Sequence, residues 1–227
     1  MDDFAADLNK VLKYDASSGD VDNLLHQLSY DHNHQQPGSV HRLVTADALQ
    51  EHGRDAEAHL LRSEHPVYMW RGKVFRRTVM PHQEGEFYRG YLRSALWASM
   101  DDNGNSLDDT YDARHIAEHT DDEMAGDAVH FLNSHSHLLP ADALYQAGTD
   151  FWLSRNGHGT GYFDRPEVYG DETDALQKAA GAAGEYSLNP EPDGPDAPDD
   201  TKPVRTKLVG YGGTSKHWGQ PEGLHNG

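Results

Sequence analysis

The chain has 227 residues, 36% of them hydrophobic, and its 38 Asp and Glu outnumber its 19 Lys and Arg for a formal charge of -19. That balance supports small packed modules rather than one large core, disfavours non-specific attraction to nucleic acid or anionic lipid, and is the charge state of a well-solvated surface. The absence of cysteine excludes disulfides, thiolate metal sites and cysteine nucleophiles.

No apolar run is long enough to span a membrane, and the opening MDDFAADLNK carries acids where a secretory leader is basic, so no membrane association is expected. Residues 1–38 read as a helical segment, with Phe4, Leu8, Val11 and Leu12 at helical spacing and a second helix after Asp20 carrying Val21, Leu24, Leu25 and Leu28. A polar loop with His32 and His34 follows. Residues 39–82 predict a helix capped by Thr45, an interruption at Gly53, a second helix with Leu60 and Leu61, and a hairpin turning at Arg71-Gly72. Ala46-Asp47-Ala48-Leu49, Gly53-Arg54, Glu57-Ala58 and Leu60-Leu61-Arg62 resemble a module of uncharacterised tailed-phage reading frames, of the form ADALxxxGRxxEAxLLR followed by a hairpin. No activity attaches to that module.

From Arg62 to Arg93 the local charge turns basic, with Trp70, Phe75 and Tyr88 interleaved. In so acidic a chain these bases are expected to pair with the protein's own acids, and direct nucleic-acid binding is not expected. Glu86 to Met100 predicts the spine of the core through Phe87, Tyr91, Leu92, Ala95 and Leu96. The following Asp101-Asp102-Asn103-Gly104-Asn105 departs from a calcium loop, having Ser106 where that loop needs glycine and Asp112 where it needs a bidentate Glu. A dense acidic tract runs from Asp101 to Asp127; Asp101, Asp102, Asp108, Asp109, Asp112, Asp121, Asp122 and Glu123 are its candidate surface. Within it, His115, Glu118 and His119 satisfy the H-x-x-E-H pattern of zinc hydrolases. The pattern is short, the chain has 16 histidines, and the surroundings are polar, so zinc is weighed and no cofactor is expected. Asp122 to Leu139 predicts another helix, with Met124, Ala128, Phe131 and Leu132 inward.

Phe151 to Arg165 reads as a β-hairpin, two aromatic runs flanking Asn156-Gly157 with Gly159 and Gly161 in a bulged return strand. One explanation is structural: Phe151, Leu153 and Phe163 form core, Arg155 pairs with Asp164 or Asp150, and the glycines serve the turn. The other is functional: Arg155, Asn156, Gly157, His158, Gly159, Asp164 and Arg165 form a tip that holds a phosphate or carboxylate, with His158 the candidate for proton transfer. The run from Ala147 to Arg165 is similar to a signature, DFWL[ST]RNGHGxG[FY][WF]DR, of small uncharacterised acidic proteins of tailed phages and mobile elements. The resemblance covers about 87–188 and implies an origin and a fold without an assigned activity; Thr149 stands where the relatives tend to have His, and Tyr162-Phe163 where they have Phe-Trp.

The expected architecture is α+β. Residues 86–188 form helices packed with a small antiparallel sheet, and residues 189–227 form a disordered acidic Pro-rich linker and a Gly-rich basic tail with Lys202, Arg205, Lys207 and Lys216. The leading functional expectation is a viral accessory protein that engages a host or viral protein through its acidic surface, as a DNA mimic or anti-defence factor, in the host cytoplasm or on the virion. The alternatives are an enzyme acting on a small phosphate- or carboxylate-bearing substrate at Arg155–Arg165, and a minor structural virion protein.

Overall fold

The computed structural model describes Val21, Leu25, residues 38–191 and residues 207–212. The fold is α+β, and by its internal contacts the chain divides into two compact units, Met1–Met80 and Pro81–Gly227. None of the described helices is long and apolar enough to cross a membrane.

In the first unit, α1 (Val40–Glu51) and α2 (Asp55–Arg62) precede a hairpin of β1 (Val67–Trp70) and β2 (Lys73–Arg76). The cap of α1 is Ser39, whose hydroxyl accepts from the Arg42 N–H at 3.3 Å. Thr45, expected to cap it, lies buried inside the helix and donates to the His41 carbonyl; the apolar pattern begins a turn before that threonine. Gly53, at φ +72°, breaks the chain between the helices, and Arg71-Gly72 turns the hairpin with both residues at positive φ. Ala46, Leu49, Ala58, Leu61, Val67 and Val74 form the core, against which Val21 and Leu25, both helical, are buried. The rest of the predicted N-terminal helices and the loop with His32 and His34 lie outside the described residues.

Two arginines hold this unit together. The buried Arg42 aims its guanidinium at the end of α2, donating to the carbonyls of Leu60 and Leu61 in its last turn and of Ser63 and His65 beyond it, the last at 2.7 Å; helix-end carbonyls lack partners within the helix. Arg54 grips Glu57 with two nitrogens and also donates to the Gly72 carbonyl, while Glu57 accepts the Val74 N–H at 2.8 Å. The GRxxE spacing therefore docks the hairpin turn onto the start of α2. Arg54 and Val74 hold the Glu57 carboxyl below its ordinary pKa against the opposing effect of burial.

The second unit is built around α5 (Leu144–Arg155), preceded by α3 (Pro81–Ala98) and α4 (Glu118–His135) and followed by a short α6 (Pro166–Tyr169), α7 (Thr173–Ala182), β3 (Tyr186–Glu191) and β4 (Lys207–Gly212). Leu144, Ala147, Gly148 and every residue from Asp150 to Arg155 are buried, the mark of a helix enclosed on all sides. Phe151 packs on Phe131 of α4 with ring centroids 4.0 Å apart and on Tyr91 of α3 at 5.3 Å; Trp152 meets Tyr91 edge-on. The predicted α3 spine is present and begins at Pro81.

Two expectations are corrected. Phe151 to Arg165 is not a hairpin: Phe151–Arg155 is the C-terminal end of α5, and Tyr162–Asp164 is a turn of 3-10 helix. Asn189–Glu191 and Lys207–Gly212, expected in a disordered end, are paired antiparallel, with Tyr186 opposite Gly212, Leu188 opposite Gly210 and Pro190 opposite Leu208. The remainder of that segment lies outside the described residues.

Candidate functional site

Asn156-Gly157 closes a helix. The His158 N–H donates to the Leu153 carbonyl at 3.1 Å and the Gly157 N–H to that of Ser154 at 3.4 Å, with Gly157 at φ +66°. This pair of bonds is a Schellman closure, which needs the same left-handed residue as a tight hairpin turn. Asn156 does two further jobs, donating to the Trp152 carbonyl at 3.0 Å and accepting the Tyr186 N–H at 2.8 Å, which fixes the start of β3 to the end of α5.

Arg155 turns inward and is 2% exposed. Its guanidinium donates to the Tyr91 hydroxyl at 2.6 Å, to the Gly184 carbonyl at 2.7 Å, to the Asp127 carboxylate at 3.1 Å and to the Ala183 carbonyl at 3.4 Å. It also lies over the rings of Phe151 and Tyr186. One side chain thus joins α3, α4, α5 and the end of α7. Arg155 faces neither Asp164 nor Asp150, the partners expected from the sequence.

Asp150, fully buried one turn earlier, accepts from Arg165 at 2.8 Å, Tyr169 at 2.7 Å and Gln146 at 3.0 Å. The Asp150 contact raises the pKa of Arg165, and burial followed by the Asp150 charge holds the Tyr169 hydroxyl far above its ordinary value. Asp164 caps the 3-10 turn, accepting from the Gly161 N–H at 2.9 Å and the Thr160 hydroxyl at 2.8 Å, and those bonds lower its pKa. Gly161 presses so closely on α5 that a Cβ there would overlap the Ser154 hydroxyl. Gly157, His158 and Gly159 are exposed. The candidate residues therefore fall into a buried set at Arg155, a half-buried pair at Arg165 and an exposed turn at His158, and do not converge on one cleft.

The acidic tract sorts in a similar way. Asp127 is buried against Arg155; Asp121 accepts from the Tyr88 hydroxyl at 2.5 Å, and Glu123 from that of Tyr186 at 3.0 Å. Asp101 closes its own turn through the N–H groups of Asn103 and Asn105, and Asp112 caps the 3-10 turn Ala113–His115 and pairs with Arg114; both carboxyls are lowered in pKa by these bonds. Asp102, Asp108, Asp109, Glu118 and Asp122 are exposed.

His115 and His119 do not share a helix. His115 ends a 3-10 turn, its Nδ1 facing the Asp112 N–H at 3.1 Å, and α4 begins only at Glu118; the His119 Nε2 faces the Thr120 hydroxyl. Among the described residues no group of three or more His, Asp or Glu is placed to hold a metal ion.

Asp127 and Asp150 were the functional-looking residues hardest to separate from their neighbours in sequence. Their signal is position: Asp127 lies on the α4 face that carries Met124, Ala128 and Phe131, and Asp150 adjoins Phe151 on a face with Ala147. Compared with protein-family models, curated proteins and solved structures, the chain matches none.

Proposed function

We propose that this chain is a binding protein that engages a cationic protein surface through the acids of its second unit. The observation that carries the reading is the sorting of the Asp101–Asp127 tract. Asp127 is buried against Arg155, and Asp121 and Glu123 hold tyrosine hydroxyls, while Asp102, Asp108, Asp109, Glu118 and Asp122 are exposed on ordered turns and on the first turns of α4. Carboxylates fixed on a scaffold attract a cationic partner with less ordering cost than the same charges on a loose chain.

Charge mimicry of DNA is the finer form of this proposal, since a partner that grips phosphates would also grip such an array. The catalytic alternative at Arg155–Arg165 has weaker support: Arg155 is enclosed and Arg165 is held by Asp150. Capture from clarified bacterial lysate at moderate salt, with and without excess duplex DNA, tests the reading. A captured nucleic-acid-handling protein released by DNA supports mimicry, a captured protein indifferent to DNA supports only the broader interaction, and no specific capture contradicts both.

A further inference from the structure

Leu208 and Gly210 occupy a slot that grips a strand along both edges. On one side β4 pairs with β3. On the other, Ile116 makes a parallel bridge to Leu208, the Ala117 N–H donates to the Leu208 carbonyl at 3.0 Å, and the Gly210 N–H donates to the Thr120 hydroxyl at 3.1 Å. The side-chain demands are equally local. Leu208 is fully buried, and the Tyr186 hydroxyl, held by Glu123, lies where any Cβ on residue 210 would have to go. The slot thus takes an extended backbone with an apolar residue two positions before a glycine, and main-chain bonds supply the general grip.

Charge adds a second preference. Glu118 and Asp122 are exposed in the first turns of α4, beside the Ala117 and Thr120 contacts. The strand in the slot carries Lys207, and in sequence Lys202, Arg205 and Lys216 flank it with no acid from 202 to 221, after Asp193, Asp196, Asp199 and Asp200. Glu118 and Asp122 offset the positive end of the α4 dipole, and as exposed carboxylates they attract a cationic segment.

We propose that the slot between β3 and the start of α4 is a capture site for an extended cationic segment of a partner protein bearing an apolar residue two positions before a glycine, with β4 as its tethered internal competitor. This rests on the acidic-surface reading and names the partner chemistry within it. A tethered strand blocks the slot at a high effective concentration, so an incoming segment must compete with it.

The test titrates a fluorescent peptide with the sequence of residues 201–214 into the full chain and into full-chain Leu208→Asp, reading anisotropy, with circular dichroism to follow folding. The expected result is a folded Leu208→Asp chain that binds the peptide at least ~10-fold more tightly than the parent does, and that binds a Gly210→Val peptide or a scrambled peptide at least ~10-fold more weakly. A folded variant that binds native and Gly210→Val peptides equally overturns the proposal. So does a variant that unfolds, because β4 would then be part of the fold and not an exchangeable occupant. If native and scrambled peptides bind equally well, the slot fails and the acidic-surface reading stands; if no cationic peptide binds, both fail.

Discussion

Gly90 of α3 and Gly148 of α5 meet with no room for a side chain on either: a Cβ on Gly90 would overlap the Tyr145 carbonyl, and one on Gly148 would overlap the Phe87 carbonyl. The two helices cross there backbone to backbone, and the Thr149 hydroxyl bridges towards the Gly90 carbonyl at 3.4 Å. Gly90→Ala and Gly148→Ala should each destabilise the protein by about 3 kcal/mol or more, because main-chain atoms cannot move aside as a side chain can. Gly85, in the same helix with open space around it, is the control: Gly85→Ala should raise stability by about 0.5–1 kcal/mol. Urea unfolding of the three variants measures both directions.

Arg155 and Asp127 form a buried pair within a larger hydrogen-bond set. Arg155→Met leaves a carboxylate enclosed without its cation, and Asp127→Asn leaves the guanidinium short of an anion. Arg155→Met should cost about 3–5 kcal/mol, and the double variant should cost less than the sum of the singles. Equal and additive losses in a double-mutant cycle would separate the two residues energetically.

At the turn that follows, His158 is exposed whereas Gly157 holds positive φ. His158→Ala should leave stability within about 0.5 kcal/mol of the parent, and Gly157→Ala should lower it by about 1–2 kcal/mol. Thermal unfolding by circular dichroism distinguishes them; a large loss for His158→Ala would show that the turn depends on a contact of its ring.

Burial raises the pKa of five tyrosines, Tyr88, Tyr91, Tyr162, Tyr169 and Tyr186, reinforced by Asp121 at Tyr88, Asp150 at Tyr169 and Glu123 at Tyr186 and opposed by Arg155 at Tyr91. In the unfolded chain a tyrosine ionises near ~10. Since the folded state holds these protons to higher pH, their contribution to stability is complete below that value and is lost as pH rises above it. Absorbance near the tyrosinate band should therefore show a late stage, in which these five ionise together with loss of helical signal. A single smooth titration with the fold intact would contradict this.

Helical spacing made α3 and α4 legible in the sequence, and the Arg71-Gly72 turn located the first hairpin. The helix α5 was hidden because its aromatic residues favour strands and Asn-Gly serves a hairpin as readily as a helix end; the deciding feature was the helical spacing of Ala147, Phe151 and Trp152, which continues to Arg155. Arg42 gave no local sign of burial, because its acceptors lie about twenty positions away at the end of another helix. β4 was masked by the Pro-, Asp- and Gly-rich composition around it, with glycine standing at one of its inward positions.

The exposed acids are the part of this molecule most directly tied to its proposed role. The decisive comparison is capture from bacterial lysate by the parent chain and by a variant carrying Asp102→Asn, Asp108→Asn, Asp109→Asn and Glu118→Gln, with melting temperatures recorded for both. Binding through the acidic surface predicts an unchanged fold and loss of the captured partner. Capture undiminished by the four replacements would contradict it.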